Sequence, residues 1–196
     1  MTRLLAVVAL LCLASSAVAQ DLETGRQVGY VRTKTFQSLL WQPGIAGHYL
    51  TVDPQTLNRE TAIANLTLSS VSNIEHANSY WQLRSVYTHR GYRGHVIVNR
   101  GNSPLNNRKL GLDQTTGKFI FTEGEVPTSY WLVRYAGKYN GWDAYFIQTL
   151  AETTGGFDLS FVTVDPATKA ITLSPTPTPG SYWHIADTSD LPAETR

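Results

Sequence analysis

Cysteine is almost absent from this sequence, and its scarcity excludes several kinds of chemistry at once. Cys12 is the one cysteine among 196 residues, and it falls in an N-terminal segment that we expect to be removed. A mature chain without cysteine forms no disulfide, has no thiol nucleophile and offers no Cys-ligated metal site. Because about 175 residues can bury most of their apolar surface without disulfides, we expect packing alone to stabilise the fold.

Long hydrophobic runs are scarce too, and the prominent one lies at the N-terminus, over residues 4–14. Arg3 precedes this run, and Ala17-Val18-Ala19 follows it as an A-x-A cleavage signal. The run is too short to cross a membrane. The sequence therefore predicts a secretory signal peptide over residues 1–19. It also predicts one extracellular domain over residues 20–196, with no membrane insertion.

The motifs of several common enzyme classes are missing as well. There is no G-x-S-x-G elbow, no H-E-x-x-H pair and no glycine-rich phosphate loop. The five histidines are scattered, and the closest pair, His89 and His95, has no acidic residue nearby. Glu123 and Glu125 flank Gly124 in a polar connection, which is typical of a solvated turn. We therefore expect a protein that is not an enzyme and that holds no metal and no cofactor.

Net charge is close to zero, but the charges are unevenly distributed. Removal of residues 1–19 leaves 15 basic and 15 acidic side chains, a balance that gives no general attraction to nucleic acid. Between Glu75 and Asp113 there is no acidic residue. This basic run is either an ordinary charged surface or a patch that binds polyanions such as sulfated polysaccharide. Its basic residues are Arg84, Arg90, Arg93, Arg100, Arg108 and Lys109.

An internal repeat of about fifty residues is the most informative feature of the sequence. The tripeptide S-Y-W occurs three times and ends at Trp81, Trp131 and Trp183, so the tryptophans are 50 and 52 residues apart. An alternating apolar segment that ends in D-x-x-T precedes each tripeptide. Asp at the first position of D-x-x-T favours a tight turn. The three turn residues are Asp53, Asp113 and Asp165.

Each repeat contains four short segments rich in apolar and β-branched residues, which predicts about twelve strands in all. The repeats span about residues 28–86, 87–137 and 138–187, and a short polar tail follows. No stretch has a helical apolar period over three turns, so we expect no substantial helix. The first strand of repeat one could be residues 28–32 or residues 39–41. Because Trp41 belongs to the second of these apolar segments, we expect it to lie in the core.

Three four-stranded repeats fit the all-β architecture called the β-trefoil. There, six strands form a barrel, three hairpins close one end of it, and equivalent large side chains from the repeats fill a shared core. Three units are too few for a propeller of typical blade number. A core shared by three repeats requires one large side chain from each repeat, at nearly constant spacing along the sequence. We therefore predict that Trp81, Trp131 and Trp183 lie in the structural core.

On these features the chain resembles the ricin-B-like lectin group of β-trefoils, whose repeats carry a turn after a strand and a Trp motif near their end. The resemblance covers about residues 30–185 and implies secreted carbohydrate binding without catalysis. The Q-x-W signature of that group appears here as S-Y-W. The sugar-binding Asp of its L-D-V pattern is displaced by one residue in L-T-V-D, which would turn the side chain to the other strand face. We therefore interpret the three aspartates as turn residues.

The same fold is shared by mycocypin-type inhibitors of cysteine proteases and by Kunitz-type inhibitors of serine proteases. Kunitz-type members usually carry disulfides, which leaves a mycocypin-like protease inhibitor as the alternative. Such proteins inhibit through exposed loops, and here residues 69–78 or 174–180 would serve. The partner would then be a protease in place of a glycan.

Candidate sugar-binding residues come from two connections in which an aromatic residue directly follows glycine. Saccharides stack an apolar face on an aromatic ring while amides, carboxylates and guanidiniums bond their hydroxyls. We predict exposed rings that bind carbohydrate at both connections. The residues are Tyr139, Asn140, Trp142 and Asp143 after Trp131, and Tyr92 and Arg93 after Trp81.

Asn65-Leu66-Thr67 is the one N-x-[ST] sequon in the chain. Asn65 and Thr67 alternate with two leucines, so an inward-facing Leu66 places Asn65 toward solvent. The sequence therefore predicts N-glycosylation at Asn65 when the chain passes through a eukaryotic secretory route.

Overall fold

The computed structural model describes residues 33–70, 78–89, 91–101, 104–150 and 155–188. The predicted signal peptide, the candidate strand 28–32, most of the loop 69–78 and the polar C-terminal tail lie outside these residues. Within them, the helical segments are 3-10 turns, none with more than three described residues. The absence of a substantial helix that the sequence predicts is therefore confirmed for the described residues.

Twelve antiparallel strands build the domain, four from each repeat, as predicted. Many of them alternate apolar and polar residues, so that one face is buried. The strands are β1 (Lys34–Ser38), β2 (Tyr49–Asp53), β3 (Asn65–Ser69), β4 (Trp81–His89), β5 (Tyr92–Asn99), β6 (Lys109–Leu112), β7 (Phe119–Thr122), β8 (Tyr130–Tyr139), β9 (Trp142–Thr149), β10 (Phe161–Val164), β11 (Ile171–Ser174) and β12 (Trp183–Asp187).

Six of the strands form a closed barrel. β1 pairs with β4 and β12, β5 pairs with β4 and β8, and β9 pairs with β8 and β12, which completes the ring. The other six strands form the hairpins β2–β3, β6–β7 and β10–β11, each attached to a barrel strand through one bridge. A six-stranded barrel with three hairpins is the β-trefoil, so the predicted fold is confirmed.

The D-x-x-T segments close the three hairpin strands as the sequence predicts. Asp113 Oδ1 accepts the backbone N–H groups of Thr115 and Thr116 at 3.1 and 2.7 Å, and Asp165 Oδ1 accepts those of Ala167 and Thr168 at 2.8 and 2.9 Å. These hydrogen bonds lower the pKa of both carboxyl groups, since they favour the charged form. Asp53 accepts the N–H of Gln55 in the same way, at 3.0 Å.

The repeated tryptophans fill the core, and each makes the same hydrogen bond. Trp81, Trp131 and Trp183 have no solvent exposure. Each indole N–H donates to a backbone carbonyl in the preceding hairpin strand, namely that of Leu50 at 3.1 Å, Leu110 at 2.8 Å and Val162 at 3.0 Å. The bond satisfies a buried donor that would otherwise be costly. The predicted core role of these three residues is confirmed.

The serine of the S-Y-W motif closes the turn that leads into the last strand of the repeat. Ser129 Oγ accepts the backbone N–H of Val126 at 3.1 Å, and Ser181 Oγ accepts that of Thr178 at 3.0 Å. Both serines are fully buried. Each serine therefore accepts the N–H of the residue just before a 3-10 turn that begins with proline. This bond explains why serine occupies this position of the motif.

Two predictions for repeat one are wrong. The first strand among the described residues is β1, Lys34–Ser38, and residues 39–41 are the loop that follows it, not a strand. Leu39 and Leu40 are buried, but Trp41 is 80% exposed, so it does not belong to the core. The chain turns immediately after Trp41, because the N–H of Ile45 donates to the Gln42 carbonyl at 3.0 Å. This turn carries the next buried residue, Ile45, inward and leaves the indole outside.

Candidate functional site

The β8–β9 hairpin presents Trp142 at the surface of the barrel. Asn140 and Gly141 form its tip with φ of 51° and 84°, the left-handed pair that a two-residue hairpin turn requires. Tyr139 pairs directly with Trp142 across this turn. The Trp142 side chain is 53% exposed, which confirms the exposure predicted for an aromatic residue that follows glycine.

Trp41 faces the same region from the loop between β1 and β2. The adjacent residue, Gln42, holds this loop against a different repeat, because its side-chain amide donates to the Pro166 carbonyl at 2.8 Å. Gln42 also donates its backbone N–H to the Leu40 carbonyl at 2.9 Å. These bonds fix the backbone on which the exposed indole is carried.

A cavity of about 290 Å³ lies between the two exposed tryptophans. Its size is at the lower end of small-molecule sites. Gln37 and Asn140 are the two amide residues of its lining. The Gln37 side chain is held in orientation because its Nε2 donates to the Gly47 carbonyl at 2.9 Å. None of the lining residues is charged. They are Gln37, Ser38, Leu39, Trp41, Ala46, Gly47, Asn140 and Trp142.

The His184 ring packs against the Trp142 ring. The two rings meet edge to face, with centroids 5.1 Å apart, a geometry that aromatic pairs favour. His184 Nδ1 lies 3.0 Å from the Asp143 carbonyl oxygen. Since a carbonyl only accepts, Nδ1 carries the proton, and the bond fixes the orientation of the imidazole against the indole. Trp142 is therefore held in place by residues of both β9 and β12.

The Asp143 and Tyr139 side chains do not line this cavity. The Asp143 carboxylate binds Lys138 Nζ at 2.8 Å and accepts the Tyr135 hydroxyl at 3.1 Å. The bond from Lys138, followed by that from Tyr135, lowers the pKa of Asp143. Tyr139 stacks on Tyr182 with centroids 4.3 Å apart. Of the four residues predicted at this connection, the structure brings Asn140 and Trp142 to the cavity and leaves Tyr139 and Asp143 beside it.

Tyr92 and Arg93 occupy the corresponding place in the β4–β5 hairpin. Tyr92 is 44% exposed and Arg93 is also exposed, so the predicted exposure of the ring is confirmed. Neither residue lines the cavity between Trp41 and Trp142. The two predicted connections therefore do not contribute to the same cavity.

The repeats differ at the position of Trp41. Three backbone N–H groups at the ends of β1, β5 and β9 make equivalent bonds across the next loop, which aligns the repeats. Three residues past these donors the sequence has Trp41, Asn102 and Glu152, of which the last two lie outside the described residues. Among these three positions of the sequence, only Trp41 is aromatic. The donors are Ser38, Asn99 and Thr149, and the acceptors are the carbonyls of His48, Arg108 and Ser160.

The basic run between Glu75 and Asp113 is partly neutralised. Arg84 pairs with Glu125 at 2.5 Å and Arg108 with Glu123 at 2.8 Å. Lys109 donates to the carbonyl oxygen of Glu123. The acidic residues that the linear sequence separates from this run thus meet it in space, which lowers the positive charge available to a polyanion.

No group of three potential metal ligands comes together in the part of the chain that the structure describes. Nor does any helix among these residues have the length and apolar character needed to span a bilayer.

Comparison with known proteins finds similarity at the level of structure. No protein-family profile and no curated protein matches the sequence. SeviL bound to asialo-GM1 saccharide superimposes with a TM-score of 0.51 and 9% identity, over 81% of this chain and 98% of SeviL. The β-trefoil BEL gives 0.54 and 10%, over 80% of this chain and 93% of BEL.

Cry35Ab1 is similar over part of its length. Its TM-score is 0.55 with 11% identity, and the match covers 82% of this chain but 37% of Cry35Ab1. This chain therefore spans little more than a third of that protein. Identities this low establish the fold alone. The chain is a β-trefoil and shares this architecture with these solved structures.

Proposed function

We propose that this protein binds carbohydrate, without transforming it, in the cavity between Trp41 and Trp142. The observation that carries the proposal is the pair of exposed indoles, 80% and 53% accessible, on either side of a cavity lined by two amides. An indole offers a flat apolar surface to the C–H face of a pyranose ring. The amides of Gln37 and Asn140 can both donate to and accept from sugar hydroxyls.

The lining favours a neutral sugar. A carboxylated or sulfated saccharide needs a cationic partner, and no lining residue of the cavity carries a charge. The nearest acidic side chain in the sequence, Asp143, is engaged by Lys138 and Tyr135. A neutral hexose or N-acetylhexosamine is therefore the ligand class that the site fits best.

The same lining supports binding in place of catalysis. Most glycoside hydrolases flank the bond they cleave with two carboxyl groups about 5 to 9.5 Å apart. No lining residue of the cavity has a carboxyl group. Similarity in fold to SeviL bound to asialo-GM1 saccharide is consistent with sugar binding and is an analogy.

Secretion and glycosylation belong to the same proposal. The N-terminal pattern of residues 1–19 supports export and cleavage before Gln20. Asn65 is exposed while Leu66 is 5% exposed, so the sequon faces outward as glycosylation requires. We thus propose an extracellular glycoprotein that recognises glycans.

A glycan array with the purified mature chain tests the binding proposal. Wild type should bind a set of neutral glycans, and Trp41→Ala and Trp142→Ala should each lose that binding. Tyr92→Ala removes the exposed aromatic residue at the other predicted connection, so binding that survives in this variant alone assigns the glycan to the cavity between Trp41 and Trp142. An array without any bound glycan, or binding that survives both tryptophan substitutions, would refute the proposal.

Protease inhibition is a second candidate, favoured by the form of the loop at residues 174–180. Pro175, Thr176 and Pro177 are exposed, and Ser174 Oγ donates to the Thr176 carbonyl at 2.6 Å. An exposed loop held by internal bonds suits a substrate-like inhibitor. Papain and trypsin assays with wild type and a Thr176→Ala variant test it. Unchanged protease activity at micromolar inhibitor would exclude this function.

A further inference from the structure

A second and larger cavity, of about 670 Å³, lies where the three hairpins of the trefoil meet. We call it the axial cavity. It is lined by residues 63–67, 116–119 and 168–173, together with Asp53 and Phe157. Leu66, Phe119 and Ile171 are equivalent residues of the three hairpins, since they pair with Val52, Leu112 and Val164. They are 5%, 7% and 8% exposed and give the cavity an apolar floor.

The residues just before these three form an equivalent set at the rim. They are Asn65, Lys118 and Ala170, and the backbone N–H of each donates to the threonine hydroxyl of the preceding turn at 2.8, 3.4 and 3.3 Å. All three are exposed. The rim therefore combines the amide of the sequon, a cationic side chain and a methyl group around one depression.

We infer that an N-linked glycan on Asn65 folds back into the axial cavity and that its first sugar is held there as a built-in ligand. The inference rests on the proposed secretion and glycosylation. Attachment joins Asn65 Nδ2 to the anomeric carbon of the sugar. The amide loses one proton, and the lipid diphosphate of the activated oligosaccharide donor is the leaving group.

The chemistry of the cavity fits an N-acetylhexosamine. The apolar floor can pack against the C–H face and the acetamido methyl group, while the ammonium of Lys118 at the rim can bond its oxygens. Lys118 enters no salt bridge among the described residues. Because the sugar is tethered at the rim, its effective concentration is about millimolar, so a weak interaction is enough to hold it.

The position of the sequon distinguishes this arrangement from a glycan that extends into solvent. Asn65 and Thr67 both line the axial cavity. A sequon on the neighbouring connection would have the same chemistry without the cavity. Residues 59–61 read Arg-Glu-Thr, are exposed and do not line the cavity, so Arg59→Asn alone would create such a sequon.

The test compares three proteins secreted from a eukaryotic host, each trimmed enzymatically to a single N-acetylglucosamine. They are wild type, Asn65→Gln, and the double variant Arg59→Asn/Asn65→Gln. In wild type we expect acylation of Lys118 to be several-fold slower than in Asn65→Gln and Tm to be higher by about 2 to 4 °C. Lys138, whose side chain is 62% exposed, serves as the reference amine. The double variant should show neither effect.

Three outcomes would overturn the inference. They are a secreted wild type with no glycan on Asn65, a glycosylated wild type with unprotected Lys118, and equal effects in wild type and the double variant. The glycan array separates this result from the proposed sugar binding. Asn65→Gln should bind the same glycans as wild type, since Asn65 does not line the cavity between Trp41 and Trp142.

Discussion

Replacement of Trp131 by phenylalanine tests whether the shared core is built as described. The indole is fully buried, and its N–H donates to the Leu110 carbonyl at 2.8 Å. Phenylalanine retains an aromatic ring but leaves that carbonyl without its donor, which costs about 1 to 3 kcal/mol. The smaller ring also leaves space in the core, which adds about 1 kcal/mol.

The expected loss of stability is therefore about 2 to 4 kcal/mol, or about 4 to 16 °C in Tm for a domain of this size. Urea unfolding followed by circular dichroism measures it. Trp41→Phe is the matched control and should stay within about 0.5 kcal/mol of wild type, because surface substitutions rarely cost more. Equal losses in the two variants, or no loss for Trp131→Phe, would refute the assignment of Trp131 to the core and of Trp41 to the surface.

Three further predictions address the turns and the N-terminus. Asp113→Ala should lower Tm near neutral pH. Because the folded pKa of Asp113 lies below its ordinary value of 3.8, this difference should persist above that pH and vanish as the pH falls through the folded pKa. Gly180→Ala should cost about 1 to 3 kcal/mol, since a Cβ there would lie 2.2 Å from the Val164 carbonyl oxygen, whereas Gly124→Ala meets nothing within 4 Å and should be neutral. Edman sequencing of the secreted protein should begin at Gln20, and an intact N-terminus would contradict the signal peptide.

Much of the fold could be predicted from the sequence because the information is repeated. Three S-Y-W tripeptides at nearly constant spacing indicate three equivalent units, and a core shared by three units favours one large residue from each. This reasoning identified Trp81, Trp131 and Trp183 correctly, with no exposure for any of them. The S-Y-W serine was identified as a departure from a lectin signature, whereas its bond to a turn N–H needed the structure.

The role of Trp41 was missed because its local sequence resembles a buried strand. Leu39-Leu40-Trp41 is apolar, but the chain turns at Gln42, whose side chain is bonded to Pro166, 124 positions away. One signal could have corrected this. When the three repeats are aligned, Asn102 and Glu152 stand at the position of Trp41, and polar residues at equivalent positions argue against a core site.

Asp143 is predicted at the site but does not line the cavity, and the cause lies in strand geometry. Neighbouring residues of a strand point to opposite faces, so Trp142 and Asp143 cannot both face one ligand from a regular strand. Lys138 is its partner across the hairpin and takes its carboxylate. Gln37 had no signal in its local sequence, because its place beside Trp142 follows from the pairing of β1 with β12, which are about 150 residues apart.

Tryptophan oxidation followed by mass spectrometry tests the central claim most directly, because the chain has five tryptophans and three of them are fully buried. In free protein, limited N-bromosuccinimide should modify Trp41 and Trp142 and spare Trp81, Trp131 and Trp183. A saturating neutral glycan from the array should protect Trp41 and Trp142 together. A bound glycan that leaves both residues as reactive as in the free protein would contradict carbohydrate binding between them.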